Sequence, residues 1–329
     1  MKALVRADAS VGIGMGHRVR CQALIAALQA LGWDCQFVVH RACATFAQPE
    51  DQLIDTEQEF LQQAATVDLV ILDHYQYQAA DIARLYQYQA NLLVLDDMNE
   101  RGAFPARWVL NPLHEEYSPQ VQTSLTGPQF ALLRAEFQSK PQASHFPEKL
   151  LLTLGGTDPL MLTLGILKSL QRRHFPLEKI LVLCGKNALN SEAVKAFSER
   201  HKIDFKQGLS EVSPVMKEAK LAISAAGGTL FELAAMGVPS IFAQVADNQT
   251  RSLQQHVPLG WCQAVRFDHL PVTQRASQID ALVEQALLAW SDTPWLQASK
   301  LVAQSLVDGQ GAARVALIIH EALAKPGNG

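Results

Sequence analysis

The stretch Met1-Lys-Ala-Leu-Val-Arg-Ala-Asp8 runs directly into Ala9-Ser-Val-Gly12-Ile-Gly14-Met-Gly16-His17. A short apolar strand is followed by a loop with three alternating glycines, and the loop ends on a histidine that opens an amphipathic helix. Glycine lets backbone come close to a ligand and adopt positive φ at little cost. A helix start offers free N–H groups and a partial positive charge. Histidine is the side chain whose ordinary pKa lies near working pH. The first seventeen residues therefore read as a strand–loop–helix ligand site with its own proton acceptor. The spacing G-x-G-x-G-H is not the dinucleotide fingerprint, and Val38-Val39-His40 offers no acidic residue for a ribose at the end of the second strand, so no NAD site is expected.

The same strand–helix alternation continues along the chain, the pattern of a parallel α/β sheet. Strands are expected at residues 3–6, 35–39, 69–72, 92–95 and 108–110. A helix from His17 to Leu31 carries Ala23, Leu24, Ala27, Leu28 and Leu31 on one face, and Gly32 stands at its C-terminal stop. The polar, proline-containing segment Lys140-Pro-Gln-Ala-Ser-His-Phe-Pro-Glu-Lys149 lacks periodicity and marks a boundary. A second series follows, with strands at 149–154, 180–184, 204–206, 219–224 and 240–242 and a final helix at 312–324. At 329 residues the chain is too long for one ordinary core. Two doubly wound Rossmann-like domains facing a cleft are expected, 1–145 and 146–329, with the last helix free to pack back on the first.

Composition narrows the function. Basic and acidic residues number 28 and 32, for a net charge of −4, which gives no footprint for nucleic-acid binding. No apolar run reaches the roughly 20 residues that span a bilayer, and the N-terminus reads as a strand rather than a signal peptide. Cys21, Cys35, Cys43, Cys184 and Cys262 are scattered and lack a C-x-x-C pair. Free thiols in a reducing cytoplasm are expected, with no disulfide framework and no zinc site.

Several motifs fall at strand carboxyl ends, where doubly wound sheets hold ligands. Asp73-His74-Tyr75 ends the third strand and Asp96-Asp97 the fourth. Each carboxylate alone fits a turn cap; the three together, with His74 and Tyr75 on the same rim, suit hydroxyl and amide recognition, and Asp73 is placed to orient a histidine. Gly155-Gly156-Thr157-Asp158 and Gly227-Gly228-Thr229 each follow an apolar strand and each are expected to open a helix, an arrangement for binding phosphate through backbone N–H groups. Neither has the G-K-[ST] ending of a P-loop. Thr229-Leu-Phe-Glu232 also fits a capping box. Ala246-Asp247-Asn248-Gln249 is a polar loop after a strand, and Arg172-Arg173-His174 reads as a solvated helix end.

Ala222-Ile-Ser224-Ala-Ala-Gly227-Gly228-Thr229-Leu-Phe-Glu232-Leu-Ala-Ala-Met-Gly237-Val-Pro239 resembles the nucleotide-sugar signature of GT-B glycosyltransferases, especially the peptidoglycan N-acetylglucosaminyltransferase. Arg6-Ala-Asp8, Ile13-Gly14-Met-Gly16-His17, Asp73-His74-Tyr75, Asp96-Asp97, Leu133-Arg134-Ala-Glu136-Phe137, Gly155–Asp158 and Asn248-Gln249, in that order, resemble the UDP-sugar hydrolases of pseudaminic acid synthesis. That family cleaves UDP-2,4-diacetamido-2,4,6-trideoxy-β-L-altropyranose. The resemblance implies a GT-B-like fold and metal-independent, cofactor-free hydrolysis at C1 with inversion. Its setting would be the cytoplasm of a bacterium that decorates flagellin or surface polysaccharide.

It further implies that UDP lies in the second domain. There the pyrophosphate would face Gly155, Gly156 and Thr157 and Gly227, Gly228 and Thr229, the ribose would meet Glu232, and uracil would lie near 180–185 and 208–212. His17 would activate water, with Asn248 and Tyr75 completing the catalytic set. Asp8, Gly14, Gly16, Asp73, Asp97 and Gln249 would hold sugar or water. UDP-sugar and water are the expected partners, and a monomer suffices because both halves of the site lie in one chain. An inverting GT-B glycosyltransferase and a non-catalytic nucleotide-sugar binder are the alternatives; UDP release without an acceptor separates them from a hydrolase.

Overall fold

The computed structural model describes residues 1–8, 16–138 and 147–324. The chain divides into two compact units, Met1–Ala135 with Gly309–Gly329, and Glu136–Asp308.

The first unit runs β1 (Lys2–Arg6), α1 (Gly16–Ala30), β2 (Asp34–His40), β3 (Gln52–Ile54), α2 (Glu57–Ala64), β4 (Leu69–Leu72), α3 (Ala79–Tyr88), β5 (Leu92–Leu95), β6 (Ala106–Asn111) and β7 (Val121–Thr126). Its seven strands lie in the order β3-β2-β1-β4-β5-β6-β7, all parallel. The central strands are unbroken apolar runs, Leu-Val-Ile-Leu in β4 and Leu-Leu-Val-Leu in β5, buried throughout, as a sheet covered on both faces requires. Alternation divides their side chains between two layers. Val5, Leu69, Ile71, Leu93 and Leu95 face one core, to which α1 contributes Leu24 and Leu28. Leu4, Val70, Leu72, Leu92 and Val94 face the other, where Phe60, Leu61, Ile82 and Leu85 come from α2 and α3.

Helix α1 ends as its glycine predicts. Gly32 takes φ +80°, Gly32 N–H donates to Gln29 O at 2.9 Å, and Trp33 N–H donates to Leu28 O at 3.2 Å. This is a Schellman stop, and Trp33 and Leu28 share the same core behind it.

The second unit runs β8 (Lys149–Thr153), α4 (Leu162–Arg172), β9 (Ile180–Cys184), α5 (Ser191–His201), β10 (Asp204–Gln207), α6 (Ser213–Lys217), β11 (Ala219–Ala225), α7 (Thr229–Met236), β12 (Ser240–Gln244), α8 (Thr250–His256), β13 (Cys262–Arg266), α9 (Arg275–Ser291) and α10 (Thr293–Leu306). Its parallel sheet is ordered β10-β9-β8-β11-β12-β13. Leu150, Leu152, Ile180, Val182 and Ile223 pack with Ile166, Leu167 and Leu170 of α4 and Leu282, Val283 and Ala286 of α9. Helix α11 (Gly311–Ala324) returns to the first unit, where Val315, Ala316 and Ile319 join the α1 core.

Strand order locates the sites. In each sheet the winding direction reverses once, between β1 and β4 in the first and between β8 and β11 in the second. The loops leaving two neighbouring strands part there and open a crevice at their carboxyl ends. Among the described residues no helix is long and apolar enough to cross a membrane.

Candidate functional site

At the reversal point of the first sheet, a cavity is lined by Asp8, His17, Asp73, His74, Tyr75 and Gln76. Asp8 stands just past β1, Asp73 just past β4, and His17 in the first turn of α1. His17 Nδ1 is 2.5 Å from Asp73 Oδ1. Asp73 is an acceptor, so the imidazole carries its proton on Nδ1 and leaves Nε2 as the basic atom. Among the described residues none bonds Nε2. The Tyr75 ring meets the His17 ring edge-on, centroids 4.4 Å apart at 81°.

Behind His17 lies a network of ions. Arg20 donates from Nε to Asp73 Oδ2 and from Nη2 to Asp73 Oδ1, both at 2.6 Å. Its Nη1 bonds both oxygens of Asp97, at 2.8 and 2.7 Å. Tyr75 O–H donates to Asp97 Oδ2 at 3.0 Å, and Cys21 Sγ reaches Asp73 Oδ2 at 3.5 Å. Burial alone would raise the Asp73 carboxyl, but Arg20 and His17 outweigh it and hold it well below the usual carboxylate range.

On the other side of the cavity, Asp8 accepts from Arg6 Nη1 at 2.6 Å, from His40 N–H at 3.1 Å and from His74 Nε2 at 2.9 Å. Burial opposes its ionisation, and the bonds from His74 and Arg6 overcome that. His74 Nδ1 accepts from Gln76 N–H at 3.3 Å, so both of its ring nitrogens are engaged. Arg6 continues to Glu57 at 2.8 Å, which also accepts from Tyr77 O–H. The two histidines therefore differ: His74 is tied at both nitrogens, His17 at one.

At the reversal point of the second sheet, Gly227 and Gly228 are exposed, and a Cβ on either would meet nothing within 4 Å. Gly228 is the N-cap of α7 and has no side chain with which to cap it. The capping box expected of Thr229 and Glu232 starts one residue too late. Leu230 N–H and Phe231 N–H turn back onto Gly227 O and Gly228 O at 2.9 and 3.1 Å, so what is open before α7 is the surface of the two glycines, beside a half-buried Glu232.

The Gly155 turn departs from expectation. Gly155 takes φ +75°, Asp158 +44° and Met161 +54°, and α4 begins only at Leu162. Asp158 accepts from Leu162 N–H at 2.9 Å and from Thr163 N–H and Oγ1 at 3.0 and 2.7 Å. Gly155-Gly156-Thr157-Asp158 therefore does not open the helix, and Asp158 occupies the N–H groups at its start. What remains open is the turn: a Cβ on Gly155 or Gly156 would meet nothing within 4 Å. Gly185 backs this turn so closely that a Cβ there would lie 2.1 Å from Gly156 O.

The other expected residues are placed as follows. Gly16 is exposed and open at the start of α1, and Gly14 lies outside the described residues. Asn248 is exposed in the turn after β12. Gln249 is buried, and its Oε1 accepts from Val245 N–H at 2.9 Å, so it shapes that turn. Glu136 accepts from Val212 N–H and Ser213 N–H, both at 2.8 Å, at the start of α6. Arg20 carries no motif of its own in the sequence; its i+3 spacing from His17 sets the two on one helix face but does not reveal its carboxylate partners. A further group, Asp247, Asp268 and His269, brings ligand atoms within 4.8 Å of one another on the second unit.

Residues 154–260 match the glycosyltransferase family 28 C-terminal domain. The chain is 26% identical over 267 residues to the Helicobacter pylori protein named pseudaminic acid cytidylyltransferase and UDP-2,4-diacetamido-2,4,6-trideoxy-β-L-altropyranose hydrolase. The match covers 79% of this chain and 47% of that protein, so the chain spans about half the length of this relative. It is 22% identical to the spore coat polysaccharide biosynthesis protein SpsG of Bacillus subtilis, over 96% of both chains. Among solved structures, Acinetobacter baumannii MurG superposes with a TM-score of 0.68 at 12% identity, covering 97% of this chain and 99% of that one. The fold is GT-B-like, and the similarity to the UDP-sugar hydrolase read from the motifs is borne out.

Proposed function

We propose that this chain hydrolyses a UDP-linked 2,4-diacetamido-2,4,6-trideoxy sugar at C1 with inversion, releasing UDP and the free sugar for pseudaminic (nonulosonic) acid synthesis. The observation that carries the reading is the His17–Asp73 pair, with Nδ1 tied at 2.5 Å and Nε2 unbonded among the described residues beside an open cavity. A pure binder has no use for an oriented base there. The Helicobacter relative's name supplies the substrate class.

In this reaction water attacks C1 while His17 Nε2 takes one of its protons. The bond from C1 to the β-phosphate oxygen breaks, and its electron pair leaves on UDP. His17 then returns the proton to solvent. UDP is a good leaving group, so its departure needs electrostatic stabilisation more than a strong acid. The second unit offers it in the open N–H groups at Gly227, Gly228 and Thr229 and in the Gly155–Thr157 turn, while Glu232 takes the ribose hydroxyls. Asn248, with Gln249 shaping its turn, and Tyr75 hold the sugar or the water. Asp8 and Asp73 line the cavity with oxygens engaged by Arg6 and His74 or by Arg20 and His17, and Asp97 stands behind Tyr75. A general base of this kind contributes roughly 10²- to 10⁴-fold.

The matched glycosyltransferase domain favours a second reading, an inverting transferase. Proton NMR of the purified protein with UDP-2,4-diacetamido-2,4,6-trideoxy-β-L-altropyranose, without acceptor, decides between them. Release of UDP and a sugar with an initially inverted anomeric proton supports hydrolysis. UDP binding without turnover overturns it and favours the transferase.

A further inference from the structure

We propose that Arg20 is a positioning residue of this site, holding in one fork the carboxylate that orients His17 and the carboxylate that anchors Tyr75. The inference rests on the reading of His17 as the base. Arg20 does not line the cavity, so it acts through its neighbours rather than on substrate.

The geometry is a closed ring of five side chains. Arg20 grips Asp73 with Nε and Nη2; Asp73 accepts from His17; His17 meets Tyr75 edge-on; Tyr75 donates to Asp97; and Asp97 returns to Arg20 Nη1. Every guanidinium nitrogen is used. The ring joins three separate pieces of chain, the start of α1 and the loops after β4 and β5. Arg20 sits one helical turn beyond His17, on the same face. Asp73 is 1% exposed, and a buried carboxylate keeps its charge only beside a partner.

Arg20 also fixes direction. It fills Asp73 Oδ2 and shares Oδ1, which leaves the carboxylate one orientation in which to accept the His17 Nδ1 proton. Its Nη2 lies 3.3 Å from His17 Nδ1. Since Nδ1 donates to Asp73, this contact sets positive charge beside the imidazole. A lysine ammonium is a point charge and cannot reproduce a planar grip on two carboxylates.

The test compares wild type, Arg20→Lys and Arg20→Met in three measurements. These are steady-state UDP release, UDP affinity by calorimetry, and the ¹⁵N signature of the His17 ring above neutral pH. Arg20→Lys is expected to lower kcat by about 10- to 100-fold with KM and UDP affinity little changed, the cost of a misplaced base. Arg20→Met is expected to lower it further and to turn the single Nδ1-protonated signature into a mixture of tautomers. Wild-type turnover by Arg20→Lys, or an unchanged His17 signature in Arg20→Met, overturns the proposal. If Arg20→Met does not fold, the Lys variant decides alone. If the wild type releases no UDP, the hydrolase reading has failed and the His17 signature still decides the role of Arg20.

Discussion

His17 Nδ1 and Asp73 Oδ1 stand 2.5 Å apart although 56 residues separate them in the chain. Their meeting is a consequence of strand order. Parallel pairing sets β1 beside β4, with Arg6 opposite Leu72, so the residues just beyond both strands converge. The pair defines the tautomer of the imidazole, and with it the atom able to accept a proton.

Asp73→Asn keeps the side-chain shape and removes the charge. The amide no longer enforces an Nδ1 proton, and Arg20 loses half of its grip. Turnover should fall by roughly 10²- to 10⁴-fold while UDP affinity, measured by calorimetry, stays at the wild-type value. Parallel losses in affinity and turnover would instead give Asp73 a role in ligand binding.

Acid should destabilise the first unit in a definite window. Asp73 and Asp8 are both held below the ordinary carboxylate range in the folded chain, against the opposing effect of burial. A depressed folded pKa contributes stability that is complete above the unfolded value, near 3.9, and is lost as pH falls toward the folded one. Urea midpoints should therefore hold above about pH 5 and decline between about pH 5 and pH 2. The decline should be shallower in Asp8→Asn and Asp73→Asn; equal slopes in all three proteins would show that these carboxylates do not drive it.

Two glycines of the second unit should respond in opposite ways. Gly228 has φ −53° and open space at its Cβ, so Gly228→Ala should fold as well as wild type and lose UDP affinity by covering the open glycine surface before α7. A Cβ at Gly185 would collide with Gly156 backbone. Gly185→Ala should displace the Gly155 turn and cost about 1–3 kcal/mol, as overpacking does. Thermal melts and UDP titration of both variants check this, and retained UDP affinity in Gly228→Ala would remove α7 from the phosphate site.

Asp158 should matter for stability. Its carboxylate takes two N–H groups of α4 and the Thr163 hydroxyl. Asp158→Ala should cost about 0.5–2 kcal/mol in urea unfolding, the usual range for a lost helix cap. A variant as stable as wild type would mean that other groups cap α4.

Much of this was legible in the chain itself. Apolar runs such as 69–72 and 92–95 are four residues long and bounded by Asp or Asn at each end, which fits a strand buried on both faces better than a helix. The glycine at 32 stops its helix for the steric reason that gives glycine positive φ. The meeting of Asp73 with a histidine was legible in its place at a strand end. Other elements left weaker marks. Strand β3 has three residues, and β7, Val-Gln-Thr-Ser-Leu-Thr, is an edge strand with four polar residues of six. The Gly155 loop looks like a helix opening, yet three residues at positive φ delay the helix to Leu162. Arg20 was missed because its partners lie 53 and 77 residues away, and only the strand order brings them together. The glycines at 12 and 14 lie outside the described residues.

The most direct test of water attack at C1 is turnover of UDP-2,4-diacetamido-2,4,6-trideoxy-β-L-altropyranose in H₂¹⁸O, followed by the mass of the released UDP. UDP free of the heavy isotope is the expected result, because cleavage of the C1–O bond leaves every phosphate oxygen in place. UDP carrying one heavy oxygen would mean that water attacks phosphorus and would contradict a base aimed at the sugar.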